Sequence, residues 1–331
     1  MTASAFSATA AFPCAIRART LTRLALLCAA AVAASACDSC GCHVPPELSD
    51  LHTGWTFGLY EQVTWFDTAK DEGQRIDAGG QWEHSSTTQA IIDYRFSDQL
   101  SLTAFVPYLS RSYRRIDNGL AENGTVAGIG DASLLLSYRP WRRFDADSAS
   151  QVSLQLGLKA PTGDPSQLKS EVPGSTVGDQ DPNSLVGGHD VALGDGAWDP
   201  EFGANAITRL GRWYAAAQIF YIYHTEGAYF YRFANELSGG VSIGYFLVME
   251  LRSHLGLQLN LAGDSKGHDW VAGQQTPDTA NHNVFLGPEL SMRWNGSLTA
   301  MLGFDLPLIE HNSAAQLVPT WKARAALGWR F

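Results

Sequence analysis

The sequence predicts an all-β fold: a closed antiparallel transmembrane β-barrel of about twelve strands. Three observations carry that expectation. Trp321, Ala323, Ala325, Leu327, Trp329 and Phe331 face one way at the end of the chain, while Lys322, Arg324, Ala326, Gly328 and Arg330 face the other. Such alternation sets an apolar face against a polar one, and about eleven residues let a tilted strand cross a bilayer. Earlier segments repeat the pattern, and their connections alternate between short and long, as in membrane barrels.

Composition agrees. Hydrophobic residues make up 45% of the chain, yet after residue 36 no apolar run reaches the length of a membrane helix. Glycine (32) and aromatics (11%) are plentiful and methionine is scarce (4), which suits strands and turns.

Residues 1–36 read as a signal peptide: Arg17, Arg19 and Arg23, then an apolar run from Leu24, then Ala34-Ser35-Ala36. Residues 37–52 form a cysteine-rich N-terminal segment and 53–331 the barrel. Removing three arginines and no acid takes the net charge from −10 to −13, which excludes nucleic acid as a natural partner.

The apolar faces follow in order. Segment one has Trp55, Phe57, Leu59, Val63 and Trp65, with Glu61 as an exception. Segments two and three (Ala90–Phe96 and Leu100–Tyr108) flank Ser97–Gln99 as a hairpin. Four and five carry Leu134, Leu136 and Tyr138, then Leu154, Leu156 and Leu158. Six is weak (Phe202, Ala204, Ala206), and seven runs from Trp213 to Tyr223. Eight holds Val241, Ile243 and Tyr245; nine holds Leu251, Leu255, Leu257, Leu259 and Leu261. Ten and eleven carry Leu286, Leu290 and Trp294, then Leu298, Leu302 and Leu306. Short connections are expected at Leu210–Arg212, Phe246–Val248 and Asn295–Ser297, a longer one at Pro140–Ser150, and long ones after the odd segments through eleven. An even strand number puts both termini on the short-turn side, the periplasm for an exported chain. Aromatics at the strand ends predict girdles at two membrane interfaces.

Twelve strands enclose more than the eight-stranded barrel that side chains just fill, so the polar faces are expected to line a lumen. Lumen candidates are Asp93, Arg95, Lys159, Glu201, Arg252, His254, Glu289, Arg293, Asp305 and Arg324. Both charge signs occur, so they can orient a polar solute or pair across the interior and plug it. Ser137, His254 and Asp305 form a triad only on paper, with no Gly-x-Ser-x-Gly elbow, and no enzyme is expected.

Glycine–aspartate motifs stand where strands meet long loops: Gly128-Ile129-Gly130-Asp131, Ala160-Pro161-Thr162-Gly163-Asp164 and Gly194-Asp195-Gly196-Ala197-Trp198-Asp199-Pro200. Glycine permits positive φ at such corners, and aspartate hydrogen-bonds its own backbone. With Val106-Pro107-Tyr108 before them, their order resembles the bacterial outer-membrane family named after the MetA pathway of phenol degradation, over residues 53–331. The resemblance implies a transporter-like barrel of the bacterial outer membrane, often assigned aromatic or hydrophobic compounds. The polar inner face departs from a conduit for such compounds. The final strand ending in Phe331 resembles the C-terminal signature of outer-membrane barrels, which implies the bilayer and the barrel-assembly machinery as partners. Asp179, Asp181, Asp190, Asp195 and His189 lie in the loop at 165–197, which reads as a constriction, a weak divalent-cation site or a solvated surface loop.

Cys37-Asp38-Ser39-Cys40-Gly41-Cys42-His43 opens the mature chain. Lipidation at Cys37 fits the preceding small residues, although alanine replaces the usual leucine three places before. Cys40, Cys42 and His43, with Cys37 when it is not lipidated, supply thiolates and an imidazole for a soft metal such as copper or zinc. A disulfide suits the periplasm. Haem c attachment needs Cys-x-x-Cys-His and fails by one position. Two functions follow as expectations: a channel passing a small solute through a charge-lined lumen, or a membrane-anchored metal- or redox-handling module using Cys37–His43.

Overall fold

The computed structural model describes residues 53–117, 119–173, 181 and 183–331. The signal peptide, the cluster of Cys37, Cys40, Cys42 and His43, and Asp179 lie outside the described residues. No helix among the described residues is long and apolar enough to cross a membrane.

The strands run β1 (Gly54–Asp71), β2 (Gln74–Ile76), β3 (Trp82–Arg95), β4 (Leu100–Asp117), β5 (Leu120–Ile129), β6 (Ala132–Phe144), β7 (Ser148–Ala160) and β8 (Asp199–Leu210). They continue with β9 (Trp213–Ile222), β10 (Tyr231–Arg232), β11 (Glu236–Met249), β12 (His254–Lys266), β13 (Trp270–Val271), β14 (Gln274–Gln275), β15 (Asn281–Trp294), β16 (Leu298–Asn312) and β17 (Gln316–Arg330). Twelve of them form the wall, in the order β1, β3, β4, β6, β7, β8, β9, β11, β12, β15, β16, β17. All wall pairs are antiparallel, and β17 returns to β1 from Thr56↔Arg330 to Lys70↔Gln316. The sheet is therefore a closed twelve-stranded barrel, the fold of outer-membrane barrels.

β4 has two partners on one side. Leu100–Phe105 pair with β6 and Tyr108–Asp117 with β5. β5 and β6 are thus one wall strand broken at Gly130–Asp131. β10, β13 and β14 make a small separate sheet in the loops.

Several strands run further than the sequence pattern. β3 begins at Trp82 and β4 reaches Asp117, while β16 and β17 are separated only by 313–315 instead of a long loop. The outer face of these extensions is polar (Ser86, Thr88, Ser112, Thr125), so the backbone ladder continues after the alternation ends. Only 145–147 separates β6 from β7, and Pro140 sits in a register shift between Tyr138 and Trp141, where a strand tolerates proline. Leu251 and Arg252 lie in the turn between β11 and β12, not in a strand.

The outer surface is apolar: Leu134, Leu154, Leu156, Leu158, Leu290 and Leu302 are exposed along it. Glu61, the polar exception, accepts hydroxyl hydrogen bonds from Ser86 (2.6 Å) and from Thr88. Aromatic pairs mark the terminus-side rim, Trp55 with Tyr94 and Trp213 with Tyr245, and Trp65 stacks on Trp321 near the other. Apolar groups fill part of the interior beside the polar residues that the alternation places there. Phe105, Leu135, Phe220 and Ile222 pack into one buried cluster, and Tyr60, Tyr214, Phe285 and Met301 are buried as well. A Cβ at Gly244 would fall on the Tyr214 ring, so this strand carries glycine where the aromatic crosses it.

A charge on the outer face should be costly. Leu156, opposite Leu136 and Phe202, is expected to lose about 2–4 kcal/mol as Leu156→Arg, read from urea unfolding in lipid vesicles. Unchanged stability would mean that this face does not meet lipid.

Candidate functional site

At Gly130–Asp131 the wall strand loses its ladder, and the three glycine–aspartate motifs converge there. Gly130 still donates its N–H to the Pro107 carbonyl. Thr162 supplies the missing partners: its hydroxyl donates to the Gly130 carbonyl and accepts from the Ala132 N–H, each at 2.8 Å. The Asp131 carboxylate accepts from the N–H of Gly163 (2.8 Å) and of Asp195 (3.0 Å). A Cβ at Gly194 would lie 2.6 Å from Asp131 Oδ1, so only glycine allows this approach.

Below the junction sits a buried charge cluster. Lys159 Nζ lies 2.6 Å from Asp195 Oδ2, 2.8 Å from Asp199 Oδ2 and 4.0 Å from Asp131 Oδ2. His224, just past β9, places Nδ1 2.6 Å from Asp199 Oδ2, with Nε2 3.7 Å from Glu236 Oε1. Burial and the Lys159 charge push the His224 imidazole down, but the carboxylates of Asp195, Asp199 and Glu236 around it override them and raise it to about 10. Donor atoms of Asp195, Asp199 and His224 lie within 4.8 Å of one another, the spacing of a metal site. The Lys159 ammonium contacts the same carboxylates and supplies their counter-charge, so the residues fit an ion-pair knot better than a cation site. Of the readings open for the loop carboxylates, Asp195 thus stands in an ion-pair knot, while Asp190 and Asp181 serve turns. Asp190 Oδ2 accepts from the Gly187 N–H, and Asp181 Oδ1 from the Asn183 N–H.

The described parts of loop 161–198 return into the mouth of the barrel. A 3₁₀ turn (Ser166–Glu171) meets a short helix (Gly188–Val191) through His189, whose Nδ1 and backbone N–H both lie 3.1 Å from Glu171 Oε1. Burial would lower the His189 imidazole, but Asp190 and Glu171 raise it to about 10. Burial would raise Glu171, but His189 holds it below its ordinary value. Val186 and Val191 pack on Tyr113 of β4 with Val126 and Leu317 alongside, and Leu168 packs on Tyr231 and Val271. Between these segments and the wall lies a chamber of about 230 Å³. Phe66, Leu109, Leu193 and Leu317 line it together with Arg111 and the Lys159 cluster.

The lumen candidates fall into separate groups. Lys159 and Glu201 belong to the knot side, where Glu201 Oε1 accepts from Ser133 Oγ at 2.8 Å. Glu289, Asp305 and Arg324 form a second buried network, with Arg324 2.8 Å from Asp305 and 3.2 Å from Glu289. Asp93 accepts from Thr103 Oγ1 at 2.7 Å on the strand that also carries Arg95. Arg293 turns to the Gly296 carbonyl at 2.8 Å, and His254 packs against Phe246. Arg252, expected in the lumen, is an exposed turn residue, because the strand after it starts at His254. No hydrogen bond among the described residues joins Ser137, His254 and Asp305. Sequence reasoning missed Arg111 and His224. The first follows the point where the outer apolar pattern of β4 ends, and the second stands just outside a strand.

Two outcomes are expected. Lys159→Met removes the shared cation and leaves buried carboxylates, at a cost of about 3–5 kcal/mol in urea unfolding of the detergent-solubilised barrel. Because His189 sits above its ordinary 6.5, its stabilisation is complete below that pH and disappears as pH rises through about 10. Protease cleavage within loop 161–198 should accelerate over that rise while the wall stays intact; a flat cleavage rate would deny the clasp its role.

No family model matches the chain, and no curated protein matches it. Among solved structures, an outer-membrane channel from Pseudomonas putida F1 is similar, with a TM-score of 0.64 and 16% identity, over 87% of this chain and 100% of that one. The β domain of a Bordetella autotransporter is 10% identical with a TM-score of 0.43, over 85% of this chain and 100% of its own. The translocator domain of an autotransporter from Neisseria meningitidis is 10% identical with a TM-score of 0.39, over 96% and 97%. What the chain shares with the Pseudomonas channel is the fold, a closed antiparallel barrel of the outer-membrane kind.

Proposed function

We propose that this protein is an outer-membrane channel that takes up a small solute, with no chemical step. One observation carries the reading: a closed barrel, apolar outside and charged inside, with a chamber at the mouth opposite the termini. A sealed structural plug would not need that chamber. The solute enters it, meets the Lys159 cluster, and passes the constriction at Phe105, Leu135, Phe220 and Ile222. It then meets the network of Glu289, Asp305 and Arg324, with Arg293 and His254 toward the terminus side. The likeness of the motifs to the family of phenol-degradation barrels favours an aromatic or hydrophobic compound. The apolar wall of the chamber supports that choice. A closed barrel with an apolar outer surface fits delivery by the barrel-assembly machinery.

Purified protein in a planar bilayer is expected to conduct in discrete steps. Arg293→Glu, at a buried inward position, should shift the reversal potential toward cations. A folded barrel that never conducts, or a selectivity indifferent to this reversal, would sink the reading.

A further inference from the structure

Several of the described inward-facing cations are paired with carboxylates. Lys159 meets two carboxylates, Arg324 meets two, and Lys70 meets Glu310. Arg111 is 4% exposed, yet among the described residues its guanidinium has no carboxylate and no hydrogen-bond acceptor, and its Nε is buried without a partner. It stands on β4 between Ser85 of β3 and Val126 of β5, and it lines the chamber. A buried charge is normally paired, because its lost hydration must be replaced by something. Among the carboxylates that line the chamber, Asp131 accepts from two backbone N–H groups and Asp195 meets Lys159, while Glu83, diagonal to Arg111 across the β3–β4 ladder, makes no ion pair with it.

We infer that Arg111 is the anion-recognition residue of this chamber, and that its ligand is a small monocarboxylate with an apolar body. The inference rests on the channel reading and names its substrate class. The planar guanidinium presents parallel N–H donors that match the two oxygens of a carboxylate. Phe66, Leu109, Leu185, Leu193 and Leu317 give the rest of the ligand an apolar wall. A chamber of about 230 Å³ suits a body of one ring. The neighbouring acids disfavour multiply charged anions, so phosphate is the poorer fit.

The test titrates the full, folded barrel in detergent with benzoate and with benzamide, its neutral counterpart of the same shape. Benzoate is expected to bind more tightly by roughly tenfold or more, the weight of a charge-assisted hydrogen-bonded pair. Arg111→Gln should erase that preference, and Arg111→Lys should restore part of it, since an ammonium keeps the charge without the fork. Heat-modifiable gel migration confirms that each variant is folded. Equal binding of the two compounds, a preference that survives in Arg111→Gln, or binding of inorganic phosphate without benzoate would overturn the assignment. Calorimetry needs no conduction. A barrel that binds benzoate through Arg111 but stays silent in the bilayer keeps this site and loses the channel reading; one that conducts without preferring benzoate loses the site alone.

Discussion

Lipid offers no hydrogen bonds, and that constraint governs the molecule. Each unpaired backbone group in hydrocarbon costs several kcal/mol, so a strand-built membrane protein must close. β17 pairing with β1 meets that demand along nearly the whole length of both strands. The same demand explains Glu61. A carboxylate on the outer face survives because Ser86 and Thr88 of the adjacent strand turn their hydroxyls onto it.

The break at Gly130–Asp131 is where closure would fail, and its repair creates the site. β5 departs from β6 and leaves backbone groups that no neighbouring strand meets. The Thr162 hydroxyl pairs with two of them, and Asp131 gathers two N–H groups of the incoming loop. The loop is thereby anchored at both ends of its course into the barrel. That anchoring brings Asp195 and Asp199 to Lys159, and packing of Val186 and Val191 on Tyr113 leaves the chamber beside them. A structural necessity of the wall has become the geometry of a cavity.

Those relations show what a single sequence conveys. Alternation revealed the lipid face, because lipid acts on every second residue in the same way. Strand ends were harder: from Glu83 to Gln89 both faces are polar, and only the backbone ladder shows that the strand continues. The glycine–aspartate motifs were visible as corners, yet their meeting depends on pairs 32 and 64 residues apart, which no local period encodes. Arg324 looked like a lumen charge, but its two acidic partners come from β15 and β16. Arg111 was invisible because its significance lies in a missing partner, and absence of a contact leaves no trace in a pattern.

The filled interior bears on how such a barrel can be selective. Twelve strands enclose space enough for water, yet Phe105, Leu135, Phe220 and Ile222 close it with apolar groups at mid-height. An ion crosses that layer only when side-chain rotation admits water with it, which gives conductance its discrete steps, whereas an apolar body meets a surface like itself. Buried charges border the layer directly: Glu201 stands opposite Ile222 and beside Leu135. A solute with one charged end and one apolar end is suited to both environments in turn: its charge is held at the mouth while its body meets the constriction. Rotation of a few side chains, and not a permanently open bore, would then set the rate. Selectivity on this scheme comes from alternating polar and apolar layers, each of which the unbroken wall holds in register.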